Sequence, residues 1–145
     1  MFNHILVPVD GSDNALVALE KAVQLSLIVG ARLSLITVYR HFSLLEASFS
    51  MVRRDDPGPM DDIMRDYAKE VAEKAKAHAV AAGATDPHAF VKNGPVARSI
   101  VAFGKQHGVD LIMMGGRGVG STESYLLGSV SHKVTGTAHC PVMVI

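Results

Sequence analysis

Cys140 is the only thiol in this chain, so an internal disulfide is excluded and a reducing compartment is expected. An excess of one charge is also missing: 14 basic residues stand against 14 acidic ones, and the formal net charge is zero. That balance gives no general electrostatic case for nucleic acid or an anionic membrane, so binding to either is not expected. No stretch approaches the ~18 uninterrupted apolar residues of a membrane span. The opening residues, Met1 to Pro8, lack a cationic start and a long apolar core, so no secretory signal is read and a cytoplasmic location is expected. Repeats and low-complexity segments are absent. The 145 residues read as one domain, residues 1–145, with enough chain to bury a substantial core without staples.

Metal and nucleophile chemistry are thin as well. The seven histidines include no pair at i, i+4, and His139 and Cys140 are adjacent residues that project in different directions, so surface or core histidine is expected and no metal ligand is assigned. Pro141 and an apolar run follow Cys140, which reads as an ordinary buried thiol.

What is present is an alternation of short apolar runs with longer helical patterns, which predicts an α/β fold: an open five-stranded parallel sheet with helices on both faces. The expected strands are Ile5 to Val9, Leu33 to Tyr39, Ala89 to Lys92, Leu111 to Met114 and Val142 to Ile145. The first helix carries Leu16, Leu19, Val23 and Leu27 and stops at Gly30. A long amphipathic helix, Met60 to Ala82, runs through Ile63, Tyr67, Val71 and Ala75 to Gly83. A third helix starts at Gly94-Pro95, with Pro95 in its first turn, and reaches about His107; Ser129 to Thr137 is the last. The segment from Arg40 to Pro59 is too long for a tight connection and too apolar for a solvated linker, so it reads as a docked flap, a lid or a partner surface.

The most informative motif is Gly115-Gly116-Arg117-Gly118, followed after nine residues by Gly128-Ser129. Glycines permit close backbone approach, and a Gly-Ser helix start offers unpaired N–H groups and the positive dipole end to an anion. A P-loop is excluded, because Gly120 is followed by Ser121 and Thr122 with no lysine. A dinucleotide fingerprint fails because Gly120 falls one place early. Asp10-Gly11-Ser12-Asp13 supplies neither loop motif of the adenylate-forming and pyrophosphatase enzymes. In an open parallel sheet, ligands bind beyond the carboxyl ends of the strands, where Pro8 to Ser12, Thr37 to Tyr39 and Gly115 to Gly118 gather. Asp10 could take ribose hydroxyls or cap the following helix.

The spacing G-x-x-G, nine residues, G-S resembles the nucleotide-binding signature of the universal stress protein family, in its ATP-binding branch, and the resemblance covers nearly the whole chain. It implies an adenine-nucleotide hydrolase-like, Rossmann-like fold that binds ATP. Asp10 would hold ribose, Pro8 would line the base pocket, Val9 would belong to the same ATP site, and Val38 would offer backbone groups to adenine. Met114 and Gly115 would pack beneath the nucleoside, and Arg117, Gly118, Gly128, Ser129 and Val130 would gather the phosphates. Residues 119–127 hold Glu123 and no lysine or arginine, so a divalent cation, Mg2+ or Mn2+, is expected to accompany the triphosphate. With Arg117 the one obvious cation, at most slow hydrolysis is expected, and no catalytic residue is assigned. The implied role is a nucleotide-responsive regulatory module; a nucleotide-free dimeric scaffold and a slow ATP-hydrolysing or adenylate-transferring enzyme are the alternatives. A homodimer, or a dimer of dimers, is expected through the C-terminal strand. Residues 41–48 resemble relatives paired with membrane transporters.

Overall fold

The computed structural model describes residues 1–40, 58–116 and 127–145. Nine elements follow one another among them: β1 (His4–Pro8), α1 (Asp13–Val29), β2 (Arg32–Tyr39), α2 (Gly58–Ala81), β3 (His88–Asn93), α3 (Val96–Gln106), β4 (Leu111–Met114), α4 (Ser129–Thr137) and β5 (Val142–Val144). The sheet order is β3-β2-β1-β4-β5, and every neighbouring pair is parallel. The expected α/β fold is therefore the one observed. The chain winds outward from β1 in both directions, so the order reverses between β1 and β4.

Alternation along the strands divides the core. Ile5, Val7, Val9, Leu33, Leu35, Leu111 and Met113 face α1 and α2, while Leu6, Ile36, Ile112 and Met114 face α3 and α4. Because both faces are covered, the strands read as continuous apolar runs rather than alternating ones.

The helices pack on smaller residues than expected. On α2 the inward stripe is Ala68, Ala72, Ala75 and Ala79, whereas Ile63 and Tyr67 are 62% and 64% exposed. On α1 it is Ala15, Ala18, Leu19, Ala22 and Val23, and Leu27 is 53% exposed. Alanine at these positions lets the helix axes approach the sheet, and large apolar residues can then stand outside. Boundaries differ by a residue or two. β1 begins at His4 and ends at Pro8, although Val9 N–H still donates to Ile36 C=O at 2.9 Å. Pro95 is the N-cap of α3 and not a first-turn residue; the φ of −62° it brings suits that place equally, and its C=O accepts from Ser99 N–H. β5 stops at Val144, but Ile145 N–H continues to Met114 C=O at 2.9 Å. The expected flap lies outside the described residues, apart from its ends.

Candidate functional site

The carboxyl ends of β1, β2 and β4 converge where the strand order reverses. Beyond β1, Gly11 turns with φ +87°, and Ser12 caps α1 by accepting from Ala15 N–H at 3.2 Å. Asp10 is exposed and fixes that cap: its Oδ1 accepts from Ser12 N–H at 3.0 Å and from Ser12 Oγ at 2.6 Å. The capping role is thus Ser12's, and Asp10 orients it.

β2 outruns β1 at this end. In a parallel ladder the N–H and C=O of a residue turn to the same neighbour, and the next residue turns both to the other side. Ile36 C=O accepts from Val9, so Val38 turns both backbone groups toward the gap beyond β1; Tyr39 C=O turns the other way and accepts from Gly94 N–H at 3.0 Å. Beside Val38, the Thr37 hydroxyl is buried and has no hydrogen-bond partner among the described residues. Pro8 is half-buried and Val9 buried.

β4 delivers Met114, buried, and then Gly115. A Cβ on Gly115 would stand 3.0 Å from the backbone C and O of Asn14, a tight contact that α1 and β4 would have to relax by a few tenths of an ångström to accept, so glycine lets them lie this close. Gly116 ties the strand end to both of its neighbours. Its N–H donates to Ile145 C=O at 3.0 Å, and its C=O accepts from Gly128 N–H and from Ser131 Oγ, the latter at 2.9 Å. Ser131 was not among the expected site residues. Buried at 2% exposure, it also donates to Gly128 C=O at 3.1 Å and clamps the start of α4 to the end of β4. In the sequence it is only a serine three places after Gly128, indistinguishable from any other helical serine. Because Gly128 N–H is taken by Gly116, the backbone donors left at this helix start begin at Ser129, which is exposed, and Val130, which also packs on the α3 and α4 core. Arg117 and Gly118 lie outside the described residues.

The structure therefore brings Pro8, Val9, Asp10, Val38, Met114, Gly115, Gly128, Ser129 and Val130 to strand ends or helix starts at one end of the sheet. Among the described residues no group of three or more His, Cys, Asp or Glu could hold a metal ion. Cys140 is half-buried; burial and then Asp110 push its thiol upward, away from nucleophilic chemistry.

The Universal stress protein family model matches residues 1–145. The chain belongs to this family. Universal stress protein YxiE of Bacillus subtilis is 35% identical over 148 residues, spanning 100% of this chain and 99% of its own. Among solved structures, the universal stress protein UspA from Lactobacillus plantarum superposes with a TM-score of 0.83 at 27% identity, covering 99% of this chain and 97% of its own. A universal stress protein solved in complex with cAMP gives 0.76 at 25% identity, covering 99% and 97%. The fold is the one these universal stress proteins share. No described helix is long and apolar enough to cross a membrane.

Proposed function

We propose that this chain binds an adenine nucleotide, ATP accompanied by Mg2+ or Mn2+, at the reversal between β1 and β4, and that it works as a nucleotide-responsive regulatory module with little or no hydrolysis. The observation that carries this reading is Val38, whose N–H and C=O both turn toward the gap beyond β1. One donor and one acceptor side by side match the amino group and adjacent ring nitrogen of adenine. Guanine presents a carbonyl and an N–H at the same edge, the reverse pattern, and is rejected. The unpartnered Thr37 hydroxyl adds a polar group beside it. Asp10 and Pro8 flank the nucleoside, with Val9, Met114 and Gly115 as its floor. Arg117, Gly118, Gly128, Ser129 and Val130 take the phosphates, where the N-terminus of α4 favours negative charge. Support from outside the chain is the related universal stress protein solved with cAMP, another adenine nucleotide. The module is a homodimer or a dimer of dimers that signals to a protein partner, a membrane transporter among the candidates.

Calorimetric titration with ATP, ADP, AMP and GTP, with and without Mg2+, tests this. ATP with Mg2+ is expected to bind tighter than GTP by roughly tenfold or more, the worth of one well-placed hydrogen-bond pair. Equal affinity for the two purines overturns the adenine assignment, and absence of binding by any of the four leaves the scaffold reading in its place.

A further inference from the structure

The opposite end of the sheet, where β1, β2 and β3 begin, holds a cavity of about 430 Å³ whose lining includes His4, Arg32, His88 and His107 with apolar walls at Pro87 and Phe90. Its polar groups do not form a closed set. His4 is buried, and its Nδ1 has two neighbours: His107 C=O at 3.1 Å and Arg32 Nη2 at 3.3 Å. A carbonyl requires a proton on that nitrogen, whereas a guanidinium requires its lone pair. One neutral imidazole can serve only one of them. Nε2 faces Ser34 Oγ at 2.8 Å, and a hydroxyl can donate or accept, so Ser34 accommodates either state.

The carbonyl is the fixed competitor. The His107 ring stacks on Phe103 with centroids 3.9 Å apart, and its Nδ1 lies 3.0 Å from Phe103 C=O. Arg32 is the free one: it is exposed, and among the described residues it has no carboxylate partner. The nearby carboxylates are engaged. Asp110 accepts from the N–H of His4 at 2.9 Å and from that of Asn3, and Asp86 lies 3.2 Å from His88 Nε2. The C-terminal carbonyls of α1 do not oppose an anion strongly, because Ser26 C=O already accepts from Gly30 and Ala31 N–H at 2.8 and 3.0 Å.

We propose that this cavity is a second ligand site, which takes a small organic carboxylate on Arg32, with its apolar part on Phe90 and Pro87, and takes up a proton on His4 as it binds. A guanidinium holds a carboxylate through two parallel N–H bonds. With Arg32 so engaged, its charge is offset by the carboxylate beside His4 and no longer opposes a second proton there, and the imidazolium donates to His107 C=O and Ser34 Oγ together. In the free protein burial, and then Arg32, hold His4 below the ordinary histidine range against the raising influences of the His107 carbonyl and Asp110. Proton uptake on binding therefore makes affinity rise as pH falls.

The test uses benzoate as probe and benzamide as its neutral isostere, followed by the imidazole and amide NMR signals of the intact protein at about pH 5.5 and about pH 8. Benzoate is expected to give saturable shifts at His4 and Phe90, with affinity roughly tenfold higher at the lower pH. Arg32→Gln, a change of an exposed side chain, is expected to remove binding while the amide spectrum stays native. His4→Gln is expected to keep binding and lose its pH dependence, a readout that a purely structural role would not produce. Equal shifts with benzamide, no saturation by about 20 mM benzoate (a ligand weaker than the millimolar range), or unchanged binding in Arg32→Gln overturns the proposal. ATP affinity, measured in parallel, reports on the other end of the sheet and is expected to be unaffected by Arg32→Gln.

Discussion

Two glycines at the candidate site are glycines for different reasons, and substitution separates them. Gly115 answers to packing: any Cβ there meets the Asn14 backbone at 3.0 Å, and α1 and β4 would have to relax to accept it. Gly115→Ala is therefore expected to cost about 1–3 kcal/mol, the usual range for overpacking, measurable as a lower urea midpoint. Gly128 has φ −65°, open to any residue, so Gly128→Val is expected to fold normally and to lose nucleotide affinity where the added methyls crowd the phosphates. Retained affinity in that folded variant would remove the phosphate-cradle reading. Thr37→Val isolates the unpartnered hydroxyl. Since a buried hydroxyl without a partner costs about 1–3 kcal/mol, folding stability should hold or rise, and any fall in ATP affinity reports on ligand contact alone. His4 sets a pH window for stability. Its folded pKa is depressed, so the unfolded chain takes the proton first, and stability present above the ordinary histidine value of about 6.5 drains away as pH falls below it. Asp110 acts lower down: burial raises its pKa, but the N–H groups of His4 and Asn3 outweigh that and hold it below the usual carboxylate range, so its contribution is lost only in stronger acid. Urea denaturation across this range should show the first loss in wild type and a flatter profile in His4→Gln.

At the scale of elements, the strands were legible because burial on both faces writes them as unbroken apolar runs, and Gly30, Gly83 and Gly94 marked helix ends and starts with positive φ. The faces of the helices were less so. A reading that follows large apolar residues selects Ile63, Tyr67 and Leu27, yet the close helix-to-sheet contact is made by alanines, whose small size carries little periodic signal. The site was legible in the same uneven way. Strand ends and a Gly-Ser helix start can be read from pattern and spacing, which gives the clusters Pro8 to Ser12, Thr37 to Tyr39 and Gly115 to Gly118 and the pair Gly128-Ser129, whereas singling out Val38 needed the family resemblance. Ser131 could not be read, because a hydroxyl that binds carbonyls 3 and 15 residues away looks like any helical serine. The local anchor of the site is the α1 cap. Ser12→Ala is expected to cost about 1 kcal/mol and to release Asp10, so a thermal melt and an ATP titration on that variant should both shift.

Over the whole molecule, β5 closes one side of the sheet with three residues, no described strand pairs with its outer edge, and Met143 and Ile145 are 40% and 41% exposed. Antiparallel pairing of β5 with its copy would satisfy the backbone groups of that edge. Light scattering on the intact chain and on one truncated after Pro141 is expected to give a dimer, or a dimer of dimers, and a smaller species respectively; an unchanged mass in a folded truncated chain would show that the strand is not the interface. The all-parallel order has a further consequence for how the chain is made. β1 is made before the other strands, but it is the central strand, and one of its two partners, β4, pairs Leu111 with Ile5 only after more than a hundred further residues have been synthesised. With about 5–20 residues added per second, the nascent chain carries β1, a strand of mostly apolar side chains, with the N–H and C=O groups of its β4 side unpaired for several seconds or more. β1 can zip to β2, and β2 to β3, beforehand, but the other side of β1 closes only once β4 is made, so the candidate-site end and the β5 side of the sheet are completed together, after the rest of the sheet.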